Sequence, residues 1–292
     1  MTSHRTISMK RLTAEVLRRA PDYESLINYL SNFLREALAK AEKKGYVVGL
    51  SGGVDSSTLY ALAVRAVGVE RVVPVIIPDV EATPPEDLED ARELVESLGG
   101  KLLVVELNPI VDIYVRVLER LGGVPDRLSL GNLKARVRMT ILYYLANRFE
   151  MMVLGATDRT ELLLGYFTKY GDGASDVAPL AIVYKTQVRE LARKLGVSDK
   201  IASKPSAPRL WKGHTAEEEL GLSFEVIDPI LFSYVDLKAS EEVTSEITGF
   251  SLDLVKRVTS MIERSRHKRE LPKTPRPDLV VEAVKKSLEL SE

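Results

Sequence analysis

Residues 46–64 constrain the fold more than any other part of this chain. Residues 46–50 (YVVGL) form an apolar, β-branched run typical of a buried strand, and residues 58–64 have the composition of a helix. Between them lies the segment SGGVDSS, residues 51–57. A strand that passes through paired glycines into a helix start presents free backbone N–H groups to an anion. We therefore predict an anion-binding loop within an α/β domain.

The polar residues of this loop indicate a phosphate site that also needs a cation. Ser51, Ser56 and Ser57 add hydroxyl donors beside the backbone N–H groups. Asp55 would repel a phosphate unless a cation lies between them, which suggests Mg²⁺. The loop is not the kinase-type P-loop, because no lysine precedes its final serine. A simple glycine turn capped by serines is the alternative interpretation.

Strand-like and helix-like segments alternate along the chain, which predicts a doubly wound parallel sheet flanked by helices. The predicted strands are 46–50, 72–77, 102–107 and 151–155, and the predicted helices are 22–43, 85–98, 110–121, 131–149 and 185–195. Residues 203–230 read as irregular and 236–290 as helical. We expect a single domain over residues 1–292, with helical N- and C-terminal additions. Ligands of such sheets bind at the carboxyl ends of the strands, so the exits at Gly52 and Gly155 should meet in one crevice.

Composition excludes several classes of function. The chain has 292 residues, 45% of them hydrophobic, which suffices for a sizeable core. Its formal charge of −1 argues against a nucleic-acid partner, and no apolar run is long enough to span a membrane or to resemble a signal segment. A cytoplasmic location is therefore expected. The absence of cysteine excludes disulfides, cysteine-ligated zinc and a thiol nucleophile in this chain.

A second cluster of candidate site residues lies between Gly155 and Asp176. Glu161 falls early in a helix that begins just after the fourth strand, where it could share a cation with Asp55. Asp172 lies between two glycines in the same stretch, a composition that is common in turns. The residues alone leave Glu161 open to a second interpretation, because it also suits a solvated helix start.

The loop at residues 51–57 resembles the PP-loop of the ATP pyrophosphatases, which cut ATP between its α and β phosphates. Together with the segment FTKYGDG at residues 167–173, the chain is similar to the NAD synthetases. The resemblance covers roughly residues 25–275. It includes the further segments 132–139, 179–180 with Lys185, 204–207, 210–213 with 217–221, and 267–269 with Pro272.

This resemblance implies an adenine nucleotide α hydrolase-like fold and a two-step ligase reaction. The nicotinate carboxylate of deamido-NAD attacks the α-phosphorus of ATP and releases diphosphate, and ammonia then displaces AMP to give NAD⁺. The family is dimeric, with deamido-NAD bound across the interface, so we expect a homodimer with the helix at 131–149 in the interface. Longer members carry a cysteine-dependent glutaminase domain. We expect none here, and therefore ammonia as the nitrogen donor.

The resemblance also implies roles for individual residues. The catalytic residues would be Asp55, Asp172 and Lys185, with Asp172 as the desolvated base that takes a proton from ammonium. Mg²⁺ would be held by Asp55 and Glu161. ATP would be bound by Leu50, Ser51, Gly52, Gly53, Val54, Asp55, Ser56, Ser57, Arg138, Thr157, Lys185 and Ser206. Deamido-NAD would be bound by Arg136, Lys169, Asp172, Asp176, His267 and Lys268.

Further expectations concern two arginines, a lid over the site and the alternative functions. Arg136 and Arg138 lie two apart on one helix and should point in different directions. Residues 204–221 would form a lid that excludes water, with Trp211 in it. His214 stands where the family commonly has glutamine, and we expect it to face solvent. The alternatives to an NAD synthetase are another PP-loop amide-forming ligase, similar to GMP synthetase, and a nucleotide-binding module without turnover.

Overall fold

The computed structural model describes residues 11–211 and 213–288. Lys212, which belongs to the family-like segment 210–213, lies outside the described residues, as do the first ten residues and the last four. The end of the helical region predicted for 236–290 therefore lies partly outside them.

The described residues form a four-stranded parallel sheet, as predicted. In chain order its strands are β1 (Tyr46–Leu50), β2 (Val72–Ile76), β3 (Leu103–Val104) and β4 (Met152–Leu154). The spatial order is β3-β2-β1-β4, and Val47 of β1 pairs with Val73 on one side and Val153 on the other. The order reverses beside β1, which places a ligand-binding crevice outside the carboxyl ends of β1 and β4.

Helices cover both faces of this sheet and continue into a C-terminal helical region. They are α1 (Ala14–Arg19), α2 (Tyr23–Lys40), α3 (Val54–Val67), α4 (Pro85–Ser97), α5 (Asn108–Gly122), α6 (Arg127–Phe149), α7 (Arg159–Leu164), α8 (Lys185–Lys194), α9 (Asp199–Ala202), α10 (Ala216–Leu220), α11 (Phe224–Leu231), α12 (Glu241–Thr248), α13 (Leu252–Arg264), α14 (Arg266–Arg269) and α15 (Asp278–Ser287). Short 3₁₀ segments lie at Val69–Arg71 and Pro179–Ile182, and a π-helical turn at Phe232–Asp236.

Three predicted boundaries were wrong in ways that bear on the site. Helix α3 begins at Val54, four residues before the predicted start, with Gly53 as its N-cap. Residues 55–57 therefore lie in its first turn, where the backbone N–H groups have no intrahelical partners. Strand β3 is only two residues long, against six predicted. The segment 203–230, read as irregular, contains α10 and most of α11.

Two apolar layers pack on the sheet. One side is covered by α2, α3 and α8, with Leu34, Leu59 and Leu191 fully buried there. The other side is covered by α5 and α6, with Val111 and Val137 packed on the sheet. A third cluster joins α7 to the C-terminal helices α11 and α13. Among the described residues, no helix combines the length and apolarity that a membrane crossing requires.

Candidate active site

The loop between β1 and α3 is held by its own serines. The Ser51 N–H donates to Ser56 Oγ at 3.1 Å, and the Gly53 N–H donates to Ser51 Oγ at 3.3 Å. Ser56 Oγ in turn donates to the Gly53 carbonyl at 3.2 Å. Gly52 has a φ of +74°, in the left-handed region that favours glycine. The loop thus curls around the N-terminus of α3, where the helix dipole favours an anion.

A buried lysine joins this loop to the helix that follows β4. Lys185 Nζ lies 2.7 Å from Asp55 Oδ2, 2.8 Å from Asp158 Oδ2 and 2.8 Å from Glu161 Oε1. The Lys185 side chain is 0% exposed. One ammonium group therefore faces three carboxylates from two different elements. The sequence predicted that Asp55 and Glu161 come together, and they do so around this lysine.

The electrostatics of the cluster follow from burial and charge imbalance. Burial alone would lower the pKa of Lys185, but the three carboxylates outweigh it and raise that pKa well above its usual value. Burial raises the pKa of Asp158 to about 7, although Lys185 opposes the shift. Burial together with Asp158 raises the pKa of Glu161 well above its usual value. The cluster thus has more carboxylates than one ammonium can neutralise, and a further cation would be favourable there.

The backbone of α7 fixes two of these carboxylates. Asp158 caps the helix by accepting from the Glu161 N–H at 2.8 Å, and Glu161 Oε2 accepts from the Asp158 N–H at 3.3 Å. This capping box satisfies two otherwise unpaired donors reciprocally. Asp158 was not among the predicted site residues, although its Asp-x-x-Glu spacing to Glu161 is the signal that identifies such a box.

A buried carboxylate behind the cluster links α7 to α8. Asp228 of α11 accepts from Thr160 Oγ1 at 2.6 Å and from the Thr186 N–H at 2.8 Å. Thr160 Oγ1 also accepts from the Lys185 N–H at 3.0 Å. Burial raises the pKa of Asp228 to about 6. Because Thr160 precedes Glu161 and Thr186 follows Lys185, these contacts set the spacing of the two functional side chains.

A cavity of about 590 Å³ opens at the carboxyl ends of the strands. Its size lies in the range of small-molecule sites. Ten predicted site residues line it, namely Leu50, Ser51, Asp55, Ser56, Arg138, Thr157, Glu161, Asp172, Ser206 and Lys268. Gly155 also lines it and Gly52 does not, so the exits of β1 and β4 meet in one crevice as predicted, with Leu50 and Ser51 rather than Gly52 on the β1 side. Lys185 lies behind the wall and acts on the cavity through Asp55 and Glu161.

Asp172 forms part of the cavity wall away from the Lys185 cluster. Its Oδ1 accepts from the Thr168 N–H at 2.9 Å, and burial raises its pKa above the usual value. Lys268 lies close enough to oppose that shift, while its own ammonium donates to the carbonyls of Gly165 and Phe167 at 2.8 and 2.9 Å. A carboxylate with a raised pKa in a cavity wall is suited to accept a proton near neutral pH.

The two arginines of α6 diverge, as predicted. Arg138 lines the cavity and its Nε donates to the Ile77 carbonyl at 3.0 Å. Burial lowers its pKa, with Asp79 and Asp172 opposing the shift. Arg136 is exposed and its Nε donates to the Lys169 carbonyl at 3.3 Å.

Four residues predicted to bind deamido-NAD lie outside the cavity wall. Besides Arg136, they are Lys169, Asp176 and His267. Asp176 accepts from the Val153 N–H at 2.8 Å and from the Tyr143 hydroxyl at 3.3 Å. Lys169 donates to the carbonyls of His267 and Glu270. These contacts give each residue a place in the fold, and their role toward a dinucleotide stays a prediction.

The prediction that His214 faces solvent was wrong. The residue is only 4% exposed and lines the cavity, and its Nε2 lies 2.7 Å from Glu219 Oε2. The His214 ring stacks on the Trp211 ring with centroids 3.7 Å apart. The guanidinium of Arg127 lies over the Trp211 ring, 4.3 Å from its centroid. Sequence reasoning missed this burial because the partner Glu219 sits in an acidic run that reads as a solvated helix face.

Comparison with known proteins identifies the family. The family model described as NAD synthase matches residues 26–272. An NH(3)-dependent NAD(+) synthetase of Hyperthermus butylicus is 48% identical over 260 residues, which is 89% of this chain and 93% of that protein. The structure of an NMN synthetase from Francisella tularensis matches with a TM-score of 0.76 and 31% identity, covering 87% of this chain and 99% of that one. The structure of an NH3-dependent NAD synthetase from Campylobacter jejuni, in complex with the nitrate ion, matches with a TM-score of 0.72 and 25% identity, covering 88% and 100%.

Proposed function

Because this chain belongs to the NAD synthase family, we propose that it is an ATP-dependent ligase that converts deamido-NAD and ammonia into NAD⁺, AMP and diphosphate. The observation that carries the proposal is the contact of one buried ammonium, Lys185 Nζ, with Asp55 of the anion-binding loop and with Glu161 of α7. This contact holds the loop proposed to bind phosphate next to the acidic start of α7, and Asp55 and Glu161 both line the same cavity.

The first step forms a bond between a nicotinate carboxylate oxygen and the α-phosphorus of ATP, and breaks the bond from that phosphorus to the oxygen bridging to the β-phosphate. Both reactants are anions, so the chain must neutralise charge before they meet. The N-terminus of α3 and the hydroxyls of Ser51 and Ser56 face the departing diphosphate. Arg138 supplies a fixed positive charge in the same wall. Catalysis here is positioning and electrostatic stabilisation.

The residues at the loop also fit a magnesium ion. Asp55 Oδ1 is buried and has no hydrogen-bond partner, and Asp55 and Glu161 both line the cavity. Mg²⁺ is commonly held by one or two carboxylates together with substrate phosphates, so a third protein ligand is not required. We propose that these two carboxylates hold it. Bound there, the ion would neutralise phosphate charge and act as a Lewis acid. Lys185 keeps both carboxylates oriented in its absence.

In the second step, ammonia attacks the carbonyl carbon of the adenylated acid and the bond to the AMP oxygen breaks. Ammonium is the main form at neutral pH and has no free electron pair, so it must first lose a proton. We assign that proton to Asp172, since its carboxylate lines the cavity and desolvation there raises its pKa. Residues 206–210 and His214 form another part of the wall and would shield the adenylate from water.

We further propose a homodimer in which the dinucleotide reaches beyond the cavity of one subunit. Exposed apolar side chains on α5 and α6 support an interface there, among them Ile113, Val117, Leu121 and Tyr144. The residues assigned to deamido-NAD are Arg136, Lys169, Asp172, Asp176, His267 and Lys268. Of these, Arg136, Asp172, Asp176 and His267 are exposed, which leaves them accessible to a ligand or a partner.

The test is steady-state turnover of the full chain with ATP and Mg²⁺. We expect diphosphate and NAD⁺ in equal amounts from deamido-NAD with ammonium chloride, and no turnover with glutamine alone. Nicotinate mononucleotide is the informative competitor, because the Francisella tularensis relative is an NMN synthetase, and xanthylate tests the GMP synthetase alternative. A higher kcat/KM with either competitor would overturn the substrate assignment. Nucleotide binding without diphosphate release would favour a module without turnover.

A further inference from the structure

Asp87, near the start of α4, lies beneath the anion-binding loop and belongs to no part of the mechanism above. We propose that it is a positioning residue that couples this loop to the segment 203–210, whose residues 206–210 line the cavity. The coupling runs through Lys204. The inference rests on the proposed function, because it concerns how the same ATP site is assembled.

Lys204 connects the two segments directly. Its Nζ donates to the Gly52 carbonyl of the loop at 3.0 Å and to Asp87 Oδ1 at 2.7 Å. It also forms an ion pair with Asp90, one turn further along α4. Lys204 itself opens the wall segment that includes Ser206, which lines the cavity. A single ammonium thus fixes a loop carbonyl, a helix and the start of the wall segment relative to one another.

The second oxygen of Asp87 holds the other end of the segment. Arg209 Nε donates to Asp87 Oδ2 at 3.0 Å, and Arg209 lines the cavity. Asp87 is 2% exposed, while the side chains of Lys204 and Arg209 are 15% and 25% exposed, so one buried carboxylate faces two partly exposed cations. One carboxylate therefore orients both basic residues that flank Ser206, five positions apart on the chain.

The loop and α4 are also in close backbone contact. A Cβ added to Gly52 would lie 2.3 Å from the Asp87 carbonyl oxygen, so only glycine allows this approach. The Lys204 contact acts on the same residue from the other direction. Movement of the wall segment is thereby transmitted to the loop that receives the diphosphate.

The variants Asp87→Asn, Lys204→Met and Asp87→Asn/Lys204→Met test the proposal. Each single substitution removes charge-assisted hydrogen bonds, so kcat/KM for ATP should fall about ten- to a hundredfold. Because both residues share the Lys204–Asp87 contact, the double variant should lose less than the two single losses combined. Lys200→Met is the matched control, since Lys200 pairs with Asp90 from the exposed surface and reaches neither Gly52 nor the wall. It should retain wild-type kinetics.

Two readouts separate positioning from a structural role. A residue that only stabilises the fold would lower the unfolding temperature and leave kcat/KM per folded molecule unchanged well below that temperature. Hydrogen exchange of residues 203–210, measured with and without ATP, should be faster in Asp87→Asn and unchanged in Lys200→Met. Wild-type kinetics in both single variants, or fully additive losses in the double variant, would overturn the coupling. A wild-type chain that neither binds nor cleaves ATP would instead refute the proposed function.

Discussion

Replacing Lys185 with methionine leaves three buried carboxylates without their cation. Lys185 is fully buried and lies within 2.8 Å of Asp55, Asp158 and Glu161. Methionine keeps the length and apolar stem of the side chain, so the change removes charge and donors with little change in volume. Turnover should be lost, because the loop and α7 no longer share a fixed contact.

The stability cost follows from breaking a buried ion cluster. Removing one partner of a buried pair costs about 3–5 kcal/mol. With an unfolding entropy of about 2.1 cal/mol/K per residue, that amounts in a chain of 292 residues to a fall in unfolding temperature of about 5–8 °C. The cost depends on pH, because burial raises the pKa of Asp158 to about 7 even beside Lys185. Because Lys185 lowers the pKa of Asp158 and of Glu161, both pKa values should rise further without the ammonium.

The sign of the pH effect is fixed by this upward shift. A group with a raised pKa in the folded state contributes stability below its unfolded pKa and loses it as pH rises through the folded pKa. The free energy of unfolding of the variant should therefore be nearest to that of the wild type at about pH 5, and the difference should be larger at about pH 8. Thermal unfolding in metal-free buffer at several pH values measures the difference.

Lys134→Met is the control for this experiment. Lys134 is also buried, but it faces a single carboxylate, Asp79, at 2.6 Å. The Lys134→Met variant should also be less stable than the wild type, but its loss of unfolding free energy should increase less between the two pH values. If Lys185→Met unfolds at the wild-type temperature throughout this range, or retains turnover, the role assigned to the cluster is refuted.

Three further predictions concern the individual steps. Asp172→Asn should abolish turnover with ammonium near neutral pH and recover part of it at alkaline pH, where free ammonia predominates; equal loss at all pH values would contradict its role as proton acceptor. In the wild type, burial raises the pKa of Asp172, so its ionised form and the rate should be lost as pH falls through a value above the usual ~4. Gly52→Ala should raise the KM for ATP at least about tenfold, since its Cβ would clash with the Asp87 carbonyl at a φ that alanine rarely adopts; an unchanged KM would show that the loop tolerates displacement. Asp55→Asn should abolish Mg²⁺-dependent turnover while the circular dichroism spectrum stays that of wild type, and an unchanged rate would remove Asp55 from the mechanism.

Periodicity and composition predicted the sheet well and its edge poorly. The runs at 46–50 and 72–77 are buried on both faces, so their apolar character alone identifies them as central parallel strands. The run at 102–107 is equally apolar but pairs over only two residues. It forms the edge strand β3, which has a neighbouring strand, β2, on one side only. Pairing at an edge depends on the partner strand, which the local sequence does not encode.

The sequence predicted which residues come together better than it predicted their contacts. The glycines and serines of the loop, with Asp55, predicted an anion site, and the spacing after β4 predicted Glu161 close to Asp55, where both contact Lys185. That Lys185 joins these two carboxylates depends on α8 lying behind the loop, and Asp228 and Thr160 fix that arrangement from distant parts of the chain. The burial of His214 depends likewise on the folded position of Glu219.

The central claim is that the nicotinate carboxylate attacks the α-phosphorus of ATP at this cavity. Deamido-NAD labelled with ¹⁸O in its carboxylate tests it directly, with the AMP and diphosphate products of the full chain analysed by mass spectrometry. The account predicts one labelled oxygen in each AMP formed and none in diphosphate. AMP without label, or label in diphosphate or inorganic phosphate, would contradict it.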